Sequence, residues 1–301
     1  MPSWGEILGE LQQSAEGNQG RPDFDSIRRR YLTQLHTLTE RDLILYSTNW
    51  LPGGAPGLSI TLEDMQGMME VCRGLKGPNL DLVLHSPGGS PEATASVVHY
   101  LRQKFSHIRV FVPLAAMSAA TMWALSCDEI VMAQGAFPAR AIIRQFERAR
   151  DECAQDPAKL GAWVPILQQY GPALLQFCED AEVLARRLVV EWLQQYMFAE
   201  REDKEAKATE VADYFAAYEE HRSHALGIDR ETARGLGLNV TFLESDQALQ
   251  DAVLSVHHAT VHTFTGTGVR KIVENQLGRA YIQIGAQFEM QAILQPPPPA
   301  I

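Results

Sequence analysis

The chain contains 301 residues, 46% of them hydrophobic, and carries a formal net charge of −11. That is ample material for the core of one large α/β domain or two modest ones, and an acidic balance without a long basic run argues against sequence-independent nucleic-acid binding. The four cysteines, Cys72, Cys127, Cys153 and Cys178, lack CxxC spacing and read as free thiols of a reducing compartment.

Met1 to Asn18 is polar and has no basic-then-apolar leader pattern. No apolar stretch approaches the roughly 18 residues needed to cross a bilayer, so a cytoplasmic chain without a membrane span is expected. Ile27, Tyr31, Leu32 and Leu35 recur at helical spacing and predict a helix over Phe24–Thr39. Leu43–Tyr46 reads as the first strand. Leu51–Gly57 is a loop and not a phosphate cradle, because it lacks the Lys-Ser/Thr ending of a P-loop. Thr61 can cap a helix running through Met65 and Met69 to Leu75, with Asp64 completing a capping box.

Three apolar runs follow, Leu80–Leu84, Ile108–Pro113 and Ile130–Met132. Helical patterns over Pro91–Phe105 and through Thr121–Leu125 separate them. This alternation predicts parallel strands joined by crossover helices. Two turns of small residues lie at the strands' carboxyl ends, where α/β sheets build their sites. One is His85-Ser86-Pro87-Gly88-Gly89-Ser90, and the other is Ala115-Ala116-Met117-Ser118-Ala119-Ala120.

The chemistry suggested is acyl transfer at Ser118. Alanines on both sides leave its hydroxyl little steric cover, and the helix start supplies unpaired N–H groups and a positive dipole end. Gly88-Gly89 can offer a second N–H from the neighbouring turn. Singly, these residues read as a helix cap and a tight turn. Paired at the ends of adjacent strands, they favour catalysis.

From Pro138 the pattern changes to long helices, over Ala139–Cys153, Leu160–Tyr170, Pro172–Phe198 and Glu202–His221. Their apolar faces predict packing on the sheet or against another subunit. A short capped helix over Ile228–Leu238 precedes a strand at Val240–Leu243 and a helix over Ser245–His262. Arg270–Val273 and Tyr281–Ile284 can form terminal strands, and Pro296–Pro299 is too short to define a partner. His258 and His262 stand one helical turn apart, with His257 beside them and Asp251 upstream. A zinc site is conceivable there, but without an HExxH pattern or a fourth ligand the histidines read as a polar face at an interface. No metal or other cofactor is expected.

The run Leu84-His85-Ser86-Pro87-Gly88-Gly89, with Tyr100-Leu101-Arg102, Ile108-Arg109-Val110 and Ala116-Met117-Ser118-Ala119, resembles the serine dehydrogenase proteinase family. That family belongs to the ClpP/SppA-like class of serine peptidases. Phe24–Arg29, Trp163–Leu167, Gln250–Leu254 and Lys271–Asn275 extend the resemblance over nearly the whole chain. It implies an α/β fold with a ClpP/crotonase-like core of parallel strands and crossover helices, plus an added helical region. It also implies an endopeptidase acting on a polypeptide substrate, assembled as a homo-oligomer. By the same match Ser118 is the nucleophile, the amides of Gly89 and Ala119 are the oxyanion donors, and Gly88 and Met117 line the cleft. Two departures stand out. Ala120 replaces the family's usual glycine, and Met132–Pro138 runs on where the family has a Gly-Pro-Ile-Asp-Pro-Gln-type loop. On this reading residues 1–40 are an N-terminal helical segment and 41–135 the core with the nucleophile. Residues 136–225 are the helical region, 226–295 complete the core, and 296–301 are a Pro-rich tail.

A serine nucleophile needs a base. A lysine would need its pKa lowered, whereas a histidine needs only orientation, and the wider class uses both. Lys159 lies in the helical region where SppA-like enzymes keep their lysine. His224, in His221-Arg222-Ser223-His224, precedes the short helix. A solvated surface role for Lys159 and a loop-bridging role for His224 compete with these assignments. Three readings stay open. They are a serine peptidase, a crotonase-type acyl-CoA enzyme (for which no basic nucleotide pocket is apparent), and a catalytically silent scaffold or regulatory partner.

Overall fold

The computed structural model describes residues 4–51, 57–133, 174–216 and 229–285. Its framework is a seven-stranded sheet. The strands are β1 (Asp42–Thr48), β2 (Asn79–His85), β3 (His107–Val112), β4 (Glu129–Met132), β5 (Val240–Phe242), β6 (Val269–Asn275) and β7 (Ala280–Ile284). Their order is β5-β4-β3-β2-β1-β6-β7. β1 to β5 are mutually parallel, while β6 runs antiparallel to β1 and β7 antiparallel to β6. In β2, at the centre, every residue but Asn79 is buried, which is why Leu80–Leu84 reads as a nearly continuous apolar run.

Helices cover both faces. On one side lie α3 (Asp64–Val71), α4 (Pro91–Arg102), α5 (Ala119–Leu125), α6 (Leu174–Gln195) and α7 (Lys204–Ala216). They pack against Ile44, Leu82, Leu84 and Val110. On the other side lie α1 (Trp4–Glu16), α2 (Phe24–Thr39) and α9 (Gln247–Gly266), packed against Leu43, Leu45, Val83 and Phe111. Helix α8 (Arg230–Gly235) leads into β5, capped by the Asp229 carboxylate, which accepts from the Thr232 amide at 2.7 Å. Burying each Leu or Val contributes roughly 1.5–3 kcal/mol, so these two apolar layers dominate the favourable side of folding. The architecture is α/β with a mostly parallel sheet, as expected. No helix among the described residues is long and apolar enough to cross a membrane.

Buried charges sit where partners saturate them. Asp81 of β2 is fully buried and accepts from Arg41 at 2.6 Å and from Arg109 at 3.0 and 2.8 Å. Glu274 of β6 accepts from both Arg28 and Arg29 of α2, each at 2.6 Å, and so ties that helix to the sheet.

Helix α1 falls inside the expected N-terminal helical segment without a periodic signal of its own, and the start of α3 differs from expectation. Helix α1 forms in the polar N-terminal stretch because Ile7 and Leu11, one turn apart, bury against α2 and α9. Two apolar positions are too few to register as periodicity. Helix α3 starts at Asp64, not after Thr61, and no side chain caps it. The Asp64 carboxylate does accept the Thr61 amide at 2.9 Å, the reciprocal half of a capping box, but it is fully buried and holds further partners.

Candidate active site

The small-residue turns after β2 and β3 lie side by side because their backbones pair. The Ser86 amide donates to the Ala115 carbonyl at 3.1 Å, and the Met117 amide donates to the Ser86 carbonyl at 2.9 Å. Gly88 then presses against the second turn. A Cβ placed on it would lie 2.3 Å from the Met117 oxygen, 2.7 Å from Ser118 Cβ and 2.8 Å from the Ala119 nitrogen. Its φ of +91° is a second reason for glycine. Gly89 is needed for close approach on the opposite side, where a Cβ would meet the Ile60 oxygen at 2.3 Å.

Ser118 occupies the N-cap position of α5 with φ +52° and ψ −122°. Glu40 also has a positive φ, but it lies in the ordinary left-handed well at the end of α2. The ψ of Ser118 takes it outside that well, a strain of roughly 1–3 kcal/mol. The strain is not offset by capping, since the Ser118 side chain makes no cap hydrogen bond. Ser118 is half-buried, and its hydroxyl is not spent on its own helix. Among the described residues the amides of Gly89 and Ala119 have no acceptor, whereas the Gly88 amide donates to Ser86 Oγ at 3.1 Å. A strained serine at a strand-to-helix turn beside two unspent amides is the local geometry of acyl-transfer nucleophiles.

Residues 58–153 match the ClpP-like SDH-type serine proteinase family. Every element of the two turns lies inside that segment, and the α/β architecture agrees with the family. Two curated proteins of Methanocaldococcus jannaschii, both described as uncharacterized, are similar to part of it. One is 31% identical over 109 residues, which cover 32% of this chain and 38% of the relative. The other is 27% identical over 109 residues, covering 32% and 37%. The chain thus spans less than two-fifths of the length of these relatives.

Within the SDH-type segment the structure brings Gly88, Gly89, Met117, Ser118 and Ala119 together. Ala120, in the position of the family's usual glycine, is fully buried in the core and donates to the Met117 carbonyl at 2.9 Å, so its methyl fits the packing there. Lys159, His224 and the stretch from Gln134 to Pro138 lie outside the described residues. Among the described residues no side chain is hydrogen-bonded to the Ser118 hydroxyl. Cys127 is core, as expected, and burial pushes its thiol up to about 12.

An apolar pocket, open to solvent, lies against α5, the helix whose N-cap is Ser118. Ala116, Thr121, Ala124 and Leu125 line it from the Ala115–Ala120 turn and α5, together with Phe215 and Leu238. Thr121 Oγ1 donates to the Ala116 carbonyl at 2.8 Å, so the one hydroxyl among these side chains is already spent.

Two further groups lie near the two turns, and of their members the sequence singles out only Asp64 and the α9 histidines. One is Tyr46, Asp64 and Lys271, which grip the backbone around Ile60. The other is a set of buried imidazoles behind β2. His85 is 2% exposed, with its Nδ1 unpartnered, and it packs edge-on against His257 of α9 at 5.2 Å and near Trp50 at 5.7 Å. Burial lowers His85 to about 4, the Ala115 backbone opposing. Burial lowers His257 to about 3, helped by His85 and His258. His258 packs edge-on to Trp4, and His262 stacks on Trp4 with Nε2 3.1 Å from its carbonyl oxygen. Among the described residues no group of three or more His, Cys, Asp or Glu is placed to hold a metal ion. The α9 histidines form a polar face at an internal interface, as read from the sequence.

Proposed function

We propose that the chain is a serine peptidase whose nucleophile is Ser118. The observation that carries this reading is the strained, uncapped serine set against Gly88 between the unspent amides of Gly89 and Ala119. In the reaction Ser118 Oγ attacks a peptide carbonyl while a base takes its proton. The carbonyl oxygen, now an anion, draws the two amides. Collapse of the tetrahedral centre releases the amine and leaves an acyl-serine, which water hydrolyses by the reverse sequence. Lys159 and His224 are the proposed bases, and Gly88 and Met117 line the cleft. A cytoplasmic homo-oligomer cleaving polypeptides internally completes the proposal. Self-assembly would keep such a site from other proteins, and light scattering that finds a stable monomer at working concentration would count against it.

The pocket beside Ala116 and Thr121 favours an apolar side chain on the acyl portion of the substrate. Filling it by Ala124→Leu is expected to slow inactivation by a phosphonate carrying a leucine side chain about tenfold, while sparing one carrying an alanine side chain. Equal effects on both probes would separate the pocket from substrate recognition.

The silent-scaffold reading has one observation in its favour, the absence of an acid–base side chain on Ser118 among the described residues. Intact-mass labelling with a fluorophosphonate separates the two. A single adduct on the unmodified chain, missing from Ser118→Ala, is expected. No adduct on the assembled protein would leave the scaffold reading in place.

A further inference from the structure

Asp64 and Lys271 form an ion pair sealed from water, with side chains 0% and 1% exposed. Removing two charges from water costs several kcal/mol per ion, and a well-packed apolar pair would serve stability as well or better. What the pair accomplishes is therefore sought in what it holds. Lys271 Nζ donates to Asp64 Oδ1 at 2.7 Å and to the Ser59 carbonyl at 2.9 Å. Asp64 Oδ2 accepts from Tyr46 Oη at 2.8 Å and from the Thr61 amide at 2.9 Å. Burial and the adjacent carboxylate hold the Tyr46 phenol well above its ordinary pKa, so it remains a donor.

The two backbone contacts fall on residues 59 and 61, on either side of Ile60. Ile60 is the residue that grips the glycine turn. Its amide donates to the Gly88 carbonyl at 2.7 Å, and its carbonyl accepts from the Ser90 amide at 3.0 Å. Gly89 lies between those two bonds with its own amide unspent. The Tyr46 ring also packs edge-on against Trp123 of α5 at 5.2 Å, the helix whose first residue is Ala119. One network thus reaches both proposed oxyanion donors without touching either.

We propose that Tyr46, Asp64 and Lys271 are positioning residues that clamp residues 59–61 and through them fix the Gly89 amide against Ser118. The catalytic consequence rests on the reading of Ser118 as nucleophile; the clamp itself does not. Lys271 is not the base in this scheme, because its ammonium is committed to Asp64 and Ser59.

The test uses the full chain and two variants. Tyr46→Phe removes one hydroxyl and keeps the ring on Trp123. The double variant Asp64→Asn/Lys271→Met removes both charges together, so neither is left buried alone. Two readouts are taken, hydrogen exchange at the Ile60 and Ser90 amides and the kinetics of fluorophosphonate labelling. The double variant is expected to speed exchange at both amides about tenfold or more. It is expected to lower kinact about 30- to 100-fold with KI unchanged, since an oxyanion donor acts on the transition state and not on binding. Tyr46→Phe should move both in the same direction by about tenfold or less, and it decides the matter if the double variant does not fold. Unchanged exchange in folded variants would overturn the clamp, and faster exchange with an unchanged kinact in a chain that labels would overturn its role in positioning the Gly89 amide. A wild-type chain that never labels would remove the nucleophile reading alone, and the exchange readout would still decide whether the clamp exists.

Discussion

Replacing Gly88 with alanine is expected to reduce labelling at Ser118 by about a thousandfold and to cost about 3 kcal/mol of stability. The added Cβ would have to occupy space 2.3 Å from the Met117 oxygen and 2.7 Å from Ser118 Cβ, distances no real contact permits. The atoms it meets are backbone or near-backbone and cannot swing aside, so the two turns must separate. A displacement of about 1 Å in a catalytic constellation costs on the order of a hundredfold, and loss of an oxyanion donor costs about 10²–10³. Alanine at φ +91° adds roughly 1–3 kcal/mol of backbone strain. Gly9 provides the control. It lies in α1, and a methyl added there would meet nothing within 4 Å, so Gly9→Ala should leave labelling untouched and raise stability by up to about 1 kcal/mol. Urea titrations and labelling rates on the three chains decide it. A Gly88→Ala chain that labels within tenfold of the original would remove the close apposition of the turns from the mechanism.

Acid should unfold this protein earlier than its carboxylates alone would dictate. His85 and His257 sit in the folded chain at about 4 and about 3, against about 6.5 for a free imidazole. Below pH 6.5 the unfolded chain takes up protons that the folded chain refuses, so stability is full above that pH and falls as pH drops toward 4. Each histidine contributes up to about 1.4 kcal/mol per pH unit in that window, giving a combined loss of about 4 kcal/mol between pH 7.5 and 5. The groups acting electrostatically on His257 are His85 and His258, both of the same sign when charged, so the imidazolium would find no counter-charge there. Urea midpoints at pH 7.5 and pH 5.0 measure the loss, and His257→Phe should remove about half of it. A stability curve flat over that interval would show that the imidazoles take up protons without opening the fold.

The parallel core was legible because its signals are local. Leu80–Leu84 and Ile108–Pro113 announce buried strands by composition, and each is followed within a few residues by a turn of small residues. The turns that hold Ser118 and Gly88–Gly89 were readable for the same reason. Helix α1 was legible only as part of an N-terminal helical segment, since its burial depends on α9, far along the chain. Asp64 illustrates the limit best. Three residues after Thr61 it reads as half of a capping box, and locally it is, yet its principal partner Lys271 lies 207 positions away. His85 was legible only as part of a turn motif, because nothing in the sequence brings His257 and Trp50 to it. Long-range pairing of polar residues leaves no periodicity to detect.

That separation has a consequence in time. Ser118 is synthesised 153 residues before Lys271, which at about 5–20 residues per second is roughly 8 to 30 seconds on a ribosome. Until β6 is made and docks beside β1, residues 59–61 lack the half of the latch that Lys271 supplies. On the proposed reading, a nascent chain would carry Ser118 through synthesis with the cleft unassembled, and hydrolytic competence would arrive only once β6 had docked beside β1. The order of translation would keep the growing polypeptide from attacking itself or its neighbours.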